Sequence, residues 1–187
     1  MTTGTIILII ILGVILLLVF YVIGVYNRLV GARNKVDNQF SQIDIELKRR
    51  TDLIPNLVET VKGYAKHESE TLENVIAARN KAISAGNVNE KMDANQELSG
   101  AISKLFALAE SYPDLKANTN FLSLQNDLKD TEDKITYARQ FYNDSAMTFN
   151  TTIERFPSNI VANVFGFKKY DYFKTDEKEK EAPKVKF

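Results

Sequence analysis

His67 is the natural first candidate for proton transfer, because imidazole alone among unperturbed side chains titrates near neutrality. It is the only histidine, so zinc sites built on paired histidines have no second ligand, and a catalytic dyad would have to be completed by other residue types. Its neighbours are Lys66 and Glu68, Tyr64 rather than a carboxylate stands three positions before it, and the chain has no cysteine. His67 therefore reads as a solvated helical histidine. A second candidate is the acidic stretch Asp127, Asp130, Glu132 and Asp133, whose carboxylates have the chemistry to bind a cation. Lys129 and Lys134 are interleaved with them, which predicts local ion pairs on a solvated face, and no histidine or second carboxylate motif completes a di-metal bundle site. A third is Thr131 with Lys134, a hydroxyl and an amine at helical spacing, a pairing common in any charged helix. The eight glycines form neither G-x-G-x-x-G nor a phosphate loop. The expectation is a protein that is not an enzyme, with no catalytic, cofactor-binding or metal residues, no cofactor and no evident small-molecule substrate.

Composition narrows the partners. The 187 residues carry 24 basic and 24 acidic side chains, so the one-sided field that draws a protein to nucleic acid is missing. Without cysteine there are no disulfides, thiolate metal sites or cysteine nucleophiles, and there is no tryptophan. Few glycines and prolines, separated by charged segments containing Leu, Ile and Ala, favour helix over sheet.

From Ile6 to Tyr26 runs IILIIILGVILLLVFYVIGVY, uncharged throughout. At about 1.5 Å per residue such a helix crosses a hydrocarbon core of about 30 Å. A cleaved signal peptide would begin with basic residues and end at small ones. Here MTTGT precedes the run and Tyr26-Asn27-Arg28 closes it, so the segment is expected to be retained. Tyr21 and Tyr26 sit where amphipathic rings prefer to lie, near the water-side end. No proline separates the run from the charged stretch NRLVGARNK, which predicts a transmembrane helix continuing into the first soluble one.

In that first soluble stretch Leu29, Arg33, Val36, Phe40, Ile43, Leu47, Arg50 and Ile54 alternate spacings of four and three, a coiled-coil-like seam. For its two arginines the expectation is stems lying across the apolar stripe with heads in water, a buried ion pair being the alternative. Pro55 interrupts, yet Leu57, Val58, Val61, Tyr64 and Ala65 keep the phase, so the reading is a kinked helix persisting through Leu72, Val75, Ile76 and Arg79 to Ile83. Ser84-Ala85-Gly86-Asn87 stops it. A second helix is predicted from about Asn89 to Ser111, burying Met92, Leu98, Ile102, Leu105, Phe106 and Ala109, and Pro113 bars its continuation. After a linker from Leu115 to Asn118, Thr119 or Asn120 caps a third, lined by Leu128, Ile135, Tyr142, Phe149, Ile153 and Phe156 and closed by Pro157. Glu132 and Arg139 put charge into that seam too. The segment SNIVANVFGF, residues 158 to 167, is short, apolar and aromatic; it either covers the end of the bundle, the favoured reading, or lies on the membrane surface.

The fold class these patterns imply is all-α: an N-terminal transmembrane helix continuing into an antiparallel helical bundle of long amphipathic helices. The expected domains are the anchor, residues 1–27, the bundle, residues 28–167, and a charged, disordered tail, residues 168–187.

YNRLVGARNKVDNQFSQIDIELKRRTDLIPNLVETVKGYAKHE, from Tyr26 to Glu68, resembles the LemA family of bacterial membrane proteins, and its block RRTDLIPNLVETVKGYA is highly specific. The resemblance resumes in YARQFYNDS, in FPSNIVANVFGFK and in the terminal APKVKF. Phe40 departs from the pattern, since the family often has tryptophan there, but an aromatic contact survives the change. The resemblance implies a membrane-anchored helical bundle without established enzymatic activity and brings no catalytic residues with it. It also implies a scaffold or interaction role in envelope organisation, the alternative being an adaptor for a membrane protease in membrane-protein quality control. The partners expected are the lipid bilayer, through the N-terminal helix, and other proteins or further copies of this chain; nucleic acid is not among them. Arg28, Arg33 and Lys35 come soon after the apolar run while no side-chain charge precedes it. In a bacterial plasma (inner) membrane this predicts a single-pass protein with its N-terminus outside and its helical domain cytoplasmic.

Overall fold

The structure, a computed structural model, describes residues 3–173. Among them the chain is helical and has no strand: α1 (Thr3–Lys62), α2 (Ser69–Ser84), α3 (Val88–Ala109), α4 (Pro113–Lys116), α5 (Thr119–Glu154) and α6 (Ser158–Val164). The described residues form two compact units, one of residues 40–140 with 172–173 and one of residues 3–39 with 141–171.

In the first of these units α1, α2, α3 and α5 run alternately up and down. Arg79 of α2 meets Thr51 of α1, Lys81 meets Glu97 of α3, and Tyr64 and Arg50 meet Asn118 and Glu132, respectively, near the start of α5 and within it. Pro55 lies inside α1, as its preserved apolar phase predicts. A proline removes the N–H that would bond the carbonyl four residues back. Here that carbonyl belongs to Thr51, and Arg79 Nε donates to it from α2 at 2.8 Å. The interruption in the helical ladder is thus filled from a neighbouring helix.

The expectation that this helix persists to Ile83 is corrected: α1 ends at Lys62, and residues 63–68 reverse the chain into α2. Reversal brings Leu72, Val75 and Ala78 into one core with Ile54, Leu57, Val58 and Val61, apolar surface that a straight continuation would leave wet. The apolar phase misleads here because Val61, near the end of α1, and Ala65, within the turn itself, are both buried. The bundle therefore has four long helices rather than three.

The stop expected at residues 84–87 is a capping box. Asn87 Oδ1 accepts the Glu90 N–H at 2.9 Å, and the Glu90 carboxylate accepts the Gly86 and Asn87 N–H groups in return. Those donors hold the exposed Glu90 carboxyl below its ordinary value. The expected linker from Leu115 is partly helical: α4 is one turn started by Pro113, and it buries Leu115 completely. Asn118, just before the two expected caps, accepts the Phe121 N–H at 3.0 Å.

In the other unit every described side chain of α1 from Ile6 to Phe20 is exposed. Cover sets in at Val22 and Val25, half-buried, and is complete at Leu29 and Val36. The complementary stripe is Tyr142, Ala146, Phe149 and Ile153 of α5, joined by Val161 and Ala162 of α6. Phe156, expected in that stripe, is instead exposed. Gly166, at φ +71°, ends α6 in a Schellman arrangement, with the Phe167 N–H bonded to the Ala162 carbonyl and the Gly166 N–H to that of Asn163.

Composition groups residues 168–173 with the tail, but contacts hold them. The Asn150 side chain brackets Tyr170, donating to its carbonyl and accepting its N–H, both at 2.9 Å. Tyr142 Oη donates to the Asp171 carbonyl at 3.0 Å, and Phe173 is buried beside Phe40. The rest of the expected tail, residues 174–187, lies outside the described residues.

Candidate functional site

The structure separates the three groups of chemical candidates. His67 lies exposed in the turn of residues 63–68, solvated as expected but not helical. Asp130 pairs with Lys134 at 2.8 Å and with Arg49 at 3.8 Å, and the lysine hydrogen bond is the main reason its carboxyl sits below the ordinary range. Thr131 is fully buried, and its Oγ1 lies 2.9 and 2.8 Å from the Asp127 and Leu128 carbonyls of its own helix. A hydroxyl held inward in that way is no nucleophile for Lys134 to activate. Among the described residues no group of three or more His, Cys, Asp or Glu is arranged to hold a metal ion.

What the structure does bring together is a polar cluster around Arg50, inside the unit of residues 40–140. The side chain is 4% exposed, which overturns the reading of its head as solvated and favours the buried pair. Nη1 donates to Asn95 Oδ1 at 2.7 Å and lies 2.7 Å from Glu132 Oε2, while Nη2 donates to Ser99 Oγ at 2.9 Å. Ser99 Oγ in turn reaches the Asn95 carbonyl at 3.0 Å. Burial lowers the Arg50 pKa, Glu132 raises it and Arg139 lowers it, yet guanidinium starts so high that the charge persists. Arg33, by contrast, stays exposed over the Phe167 ring at 5.6 Å. Sequence reasoning does not single out Asn95 and Ser99. The available signal is Asn95 standing three residues before Leu98 on the apolar seam of α3, where a polar side chain needs a partner.

Beside this cluster is an open cleft of about 410 Å³, lined among others by Asp44, Thr51, Ile83, Lys91 and Asn95. Lys91 lies 2.6 Å from Asp44 and 4.8 Å over the Phe40 ring. Paired in this way, Lys91 fixes α3 against α1. The charged groups of the cluster and of Lys91 with Asp44 are engaged in holding helices to one another.

The other distinctive geometry is in the unit of residues 3–39 with 141–171. Tyr26, last residue of the uncharged run, has its ring 4.8 Å from Phe165 and 5.9 Å from Phe167. Phe149 meets Phe167 at 6.2 Å and Tyr170 at 5.4 Å, and Tyr170 Oη donates to Asp37 at 2.5 Å. A bare apolar helix thus passes into an aromatic collar at the point where its charges begin. The apolar part of α1 is long enough to cross a membrane.

The profile of the LemA family matches residues 39–187. The chain belongs to the LemA family. It is 29% identical over 165 residues to Protein LemA of Metamycoplasma hominis, covering 86% of this chain and 74% of that one. It is 24% identical over 174 residues to the magnetosome protein MamQ of Magnetospirillum gryphiswaldense, covering 79% of this chain. The match to MamQ 2 of Paramagnetospirillum magneticum has the same identity and coverage. The chain spans 64% of the length of these MamQ relatives, just under two thirds. Helical architecture, the candidate membrane-spanning segment in α1 and family membership together make this a membrane-associated helical protein of the LemA family. Phe40, where the family often carries tryptophan, keeps an aromatic contact with Phe173 at 6.5 Å.

Proposed function

We propose that this LemA-family protein is a non-enzymatic scaffold that presents a helical bundle to protein partners from a membrane anchor. One observation carries the reading: α1 runs from Thr3 to Lys62 as one helix, so the uncharged span and the seam through Leu29, Val36 and Ile43 belong to the same element. A helical surface carried by the element that enters the membrane meets partners confined to the same membrane at high effective concentration. Two further facts support the proposal. Asp130, Thr131 and Lys91 are engaged in structural contacts, and the MamQ relatives are named for the magnetosome and not for a reaction. Crosslinking in native membranes and mass spectrometry of the adducts test it, with discrete protein adducts as the expected result; substrate turnover by the purified full-length chain would replace scaffold with enzyme.

The polar seam residues Arg33, Arg50, Glu132 and Arg139 suggest self-association, and of these Arg50 and Glu132 are paired within one chain. The partners we propose are other proteins or further copies of this chain. Mass photometry of the detergent-solubilised full chain tests self-association, with oligomers expected and nothing but monomer across concentration removing it.

The orientation we propose has the N-terminus outside and the bundle in the cytoplasm, supported by Arg28, Arg33 and Lys35 soon after the span. The chain has no cysteine, so Thr3→Cys and Lys180→Cys variants each carry a single thiol. In intact cells a membrane-impermeant maleimide is expected to label position 3 and spare position 180. Labelling at 180 with protection at 3 would reverse the orientation.

A further inference from the structure

We propose that residues 156–165 form a second membrane contact, an apolar knuckle seated at the headgroup and acyl-chain boundary beside the transmembrane part of α1. The proposal goes beyond the scaffold reading and shares with it only the anchor. Its ground is a surface that burial within the chain leaves unexplained. Phe156, Ile160, Val164 and Phe165 are 76%, 56%, 75% and 52% exposed, while Val161 and Ala162 between them are buried. Four large apolar side chains in ten residues face outward from a segment whose inner face is firmly seated. Clusters of that kind mark contact with something apolar.

Position decides what that is. The Phe165 ring packs on Tyr26, the last residue before Asn27 and Arg28 end the uncharged run, so Phe165 lies level with the exit of α1 from its apolar stretch. Cover on α1 begins earlier, at Val22 and Val25, within the apolar run itself. If Ile6 to Tyr26 occupies a bilayer, the knuckle is carried to its surface. Charge agrees with this. From Arg155 to Tyr170 there is no acidic residue, and the cations Arg155, Lys168 and Lys169 flank the apolar side chains, the arrangement that suits an interface with anionic headgroups. Lys169 also pairs with Glu154.

Taken alone, a ten-residue segment buries too little area to hold a membrane, which favours reading it as a cover for the bundle. Tethering removes that objection. With the transmembrane helix already inserted, the knuckle is held near the surface at high effective concentration and needs only weak affinity of its own. Its contribution is to fix how the collar meets the lipid.

The test uses the full-length protein in phosphatidylcholine vesicles containing phosphatidylglycerol, with single cysteines introduced as Leu12→Cys, Lys66→Cys and Val164→Cys, each labelled with an environment-sensitive fluorophore. Positions 12, 66 and 164 are all exposed in the structure, so none of the changes disturbs packing. Lipids carrying a nitroxide near the carbonyl end of the acyl chain are expected to quench the label at 164 roughly twofold or more, and aqueous iodide is expected to spare it. Position 66 should show the reverse. Quenching at position 12 by a nitroxide deep in the acyl chain reports the anchor independently. Iodide quenching at 164 with position 12 still in lipid would overturn the knuckle and leave the anchor standing. Protection at 164 from both iodide and lipid nitroxides would mean that protein covers the site, a second copy included, and would overturn it as well.

Discussion

The surroundings of Arg50 and those of Tyr26 solve opposite problems. Around Arg50 a charge lies inside an apolar bundle, and Asn95, Ser99 and Glu132 converge on it. Around Tyr26 apolar and aromatic side chains exceed what the neighbouring chain covers, and the excess faces outward at Phe156, Ile160, Val164 and Phe165. A buried polar group must be satisfied wherever it sits, because leaving it bare costs more than a good pair returns. An exposed apolar group has no such internal remedy, and its remedy lies outside the chain. The first region therefore specifies how helices pair, and the second, on the proposal made above, specifies where the chain meets lipid.

The largest effect should come from Arg50→Ala. It opens a cavity, leaves Asn95 and Ser99 without their donor, and strips the counter-charge from Glu132. Removing one partner of a buried pair typically costs about 3–5 kcal/mol, and the half-exposed Glu132 can recruit water, so about 3 kcal/mol is expected. Circular dichroism of the detergent-solubilised full chain should show a melting point lower by about 10 °C. A change within about 1 °C would mean that the cluster is not a determinant of the bundle.

Next is Arg79→Met, which leaves the Thr51 carbonyl without its donor beside Pro55. An unsatisfied buried carbonyl costs about 1–3 kcal/mol. The decisive measurement is the double mutant, because Pro55→Ala restores an N–H to the helical ladder and should make the loss of Arg79 smaller. Additive effects, with no coupling between the two positions, would show that Arg79 acts through something other than the proline gap.

Much of this is legible in sequence because single-helix periodicity reports burial directly. The uncharged run from Ile6, the seam through Leu29, Val36, Ile43 and Ile54, and the stripe of Leu128, Ile135, Tyr142 and Phe149 all stand where their spacing puts them. Periodicity is blind to direction. Val61 and Ala65 keep phase into a turn that reverses the chain, so the fourth long helix is hidden inside the first. Nor does it see which polar residues meet: Asn95 and Arg50 are 45 positions apart, and nothing local pairs them. Composition fails at residues 168–173 for the same reason, since Asn150 holds Tyr170 through its backbone and so leaves no apolar signature. Of the candidate site, the charges that Arg50 and Glu132 place in their apolar seams are legible, while the collar around Tyr26 depends on a return of the chain from α6 that no spacing announces.

The smallest effect belongs to the aromatic region and concerns pH. Tyr170 Oη donates to Asp37, and losing one such bond in Tyr170→Phe should cost about 1 kcal/mol near neutrality. Burial, with the Asp37 bond and charge adding to it, pushes the Tyr170 phenol well above its ordinary value. A raised native pKa means that the folded state keeps a proton the unfolded chain gives up near pH ~10. Below about pH 10 both states hold that proton and the contribution of Tyr170 is constant. As pH climbs beyond that, the unfolded state binds fewer protons than the folded one, and stability falls until the native phenol also ionises. Tyr142 and Tyr112 are shifted in the same direction, so the wild type and the variant should both weaken in alkali. The wild type should lose stability more steeply, and the difference between the two melting curves should shrink as pH rises past about 10. A gap that stays constant up to the alkaline limit would mean that Tyr170 ionises equally in both states. The aromatic region would then be held by ring packing and by the grip of Asn150, without help from the phenol.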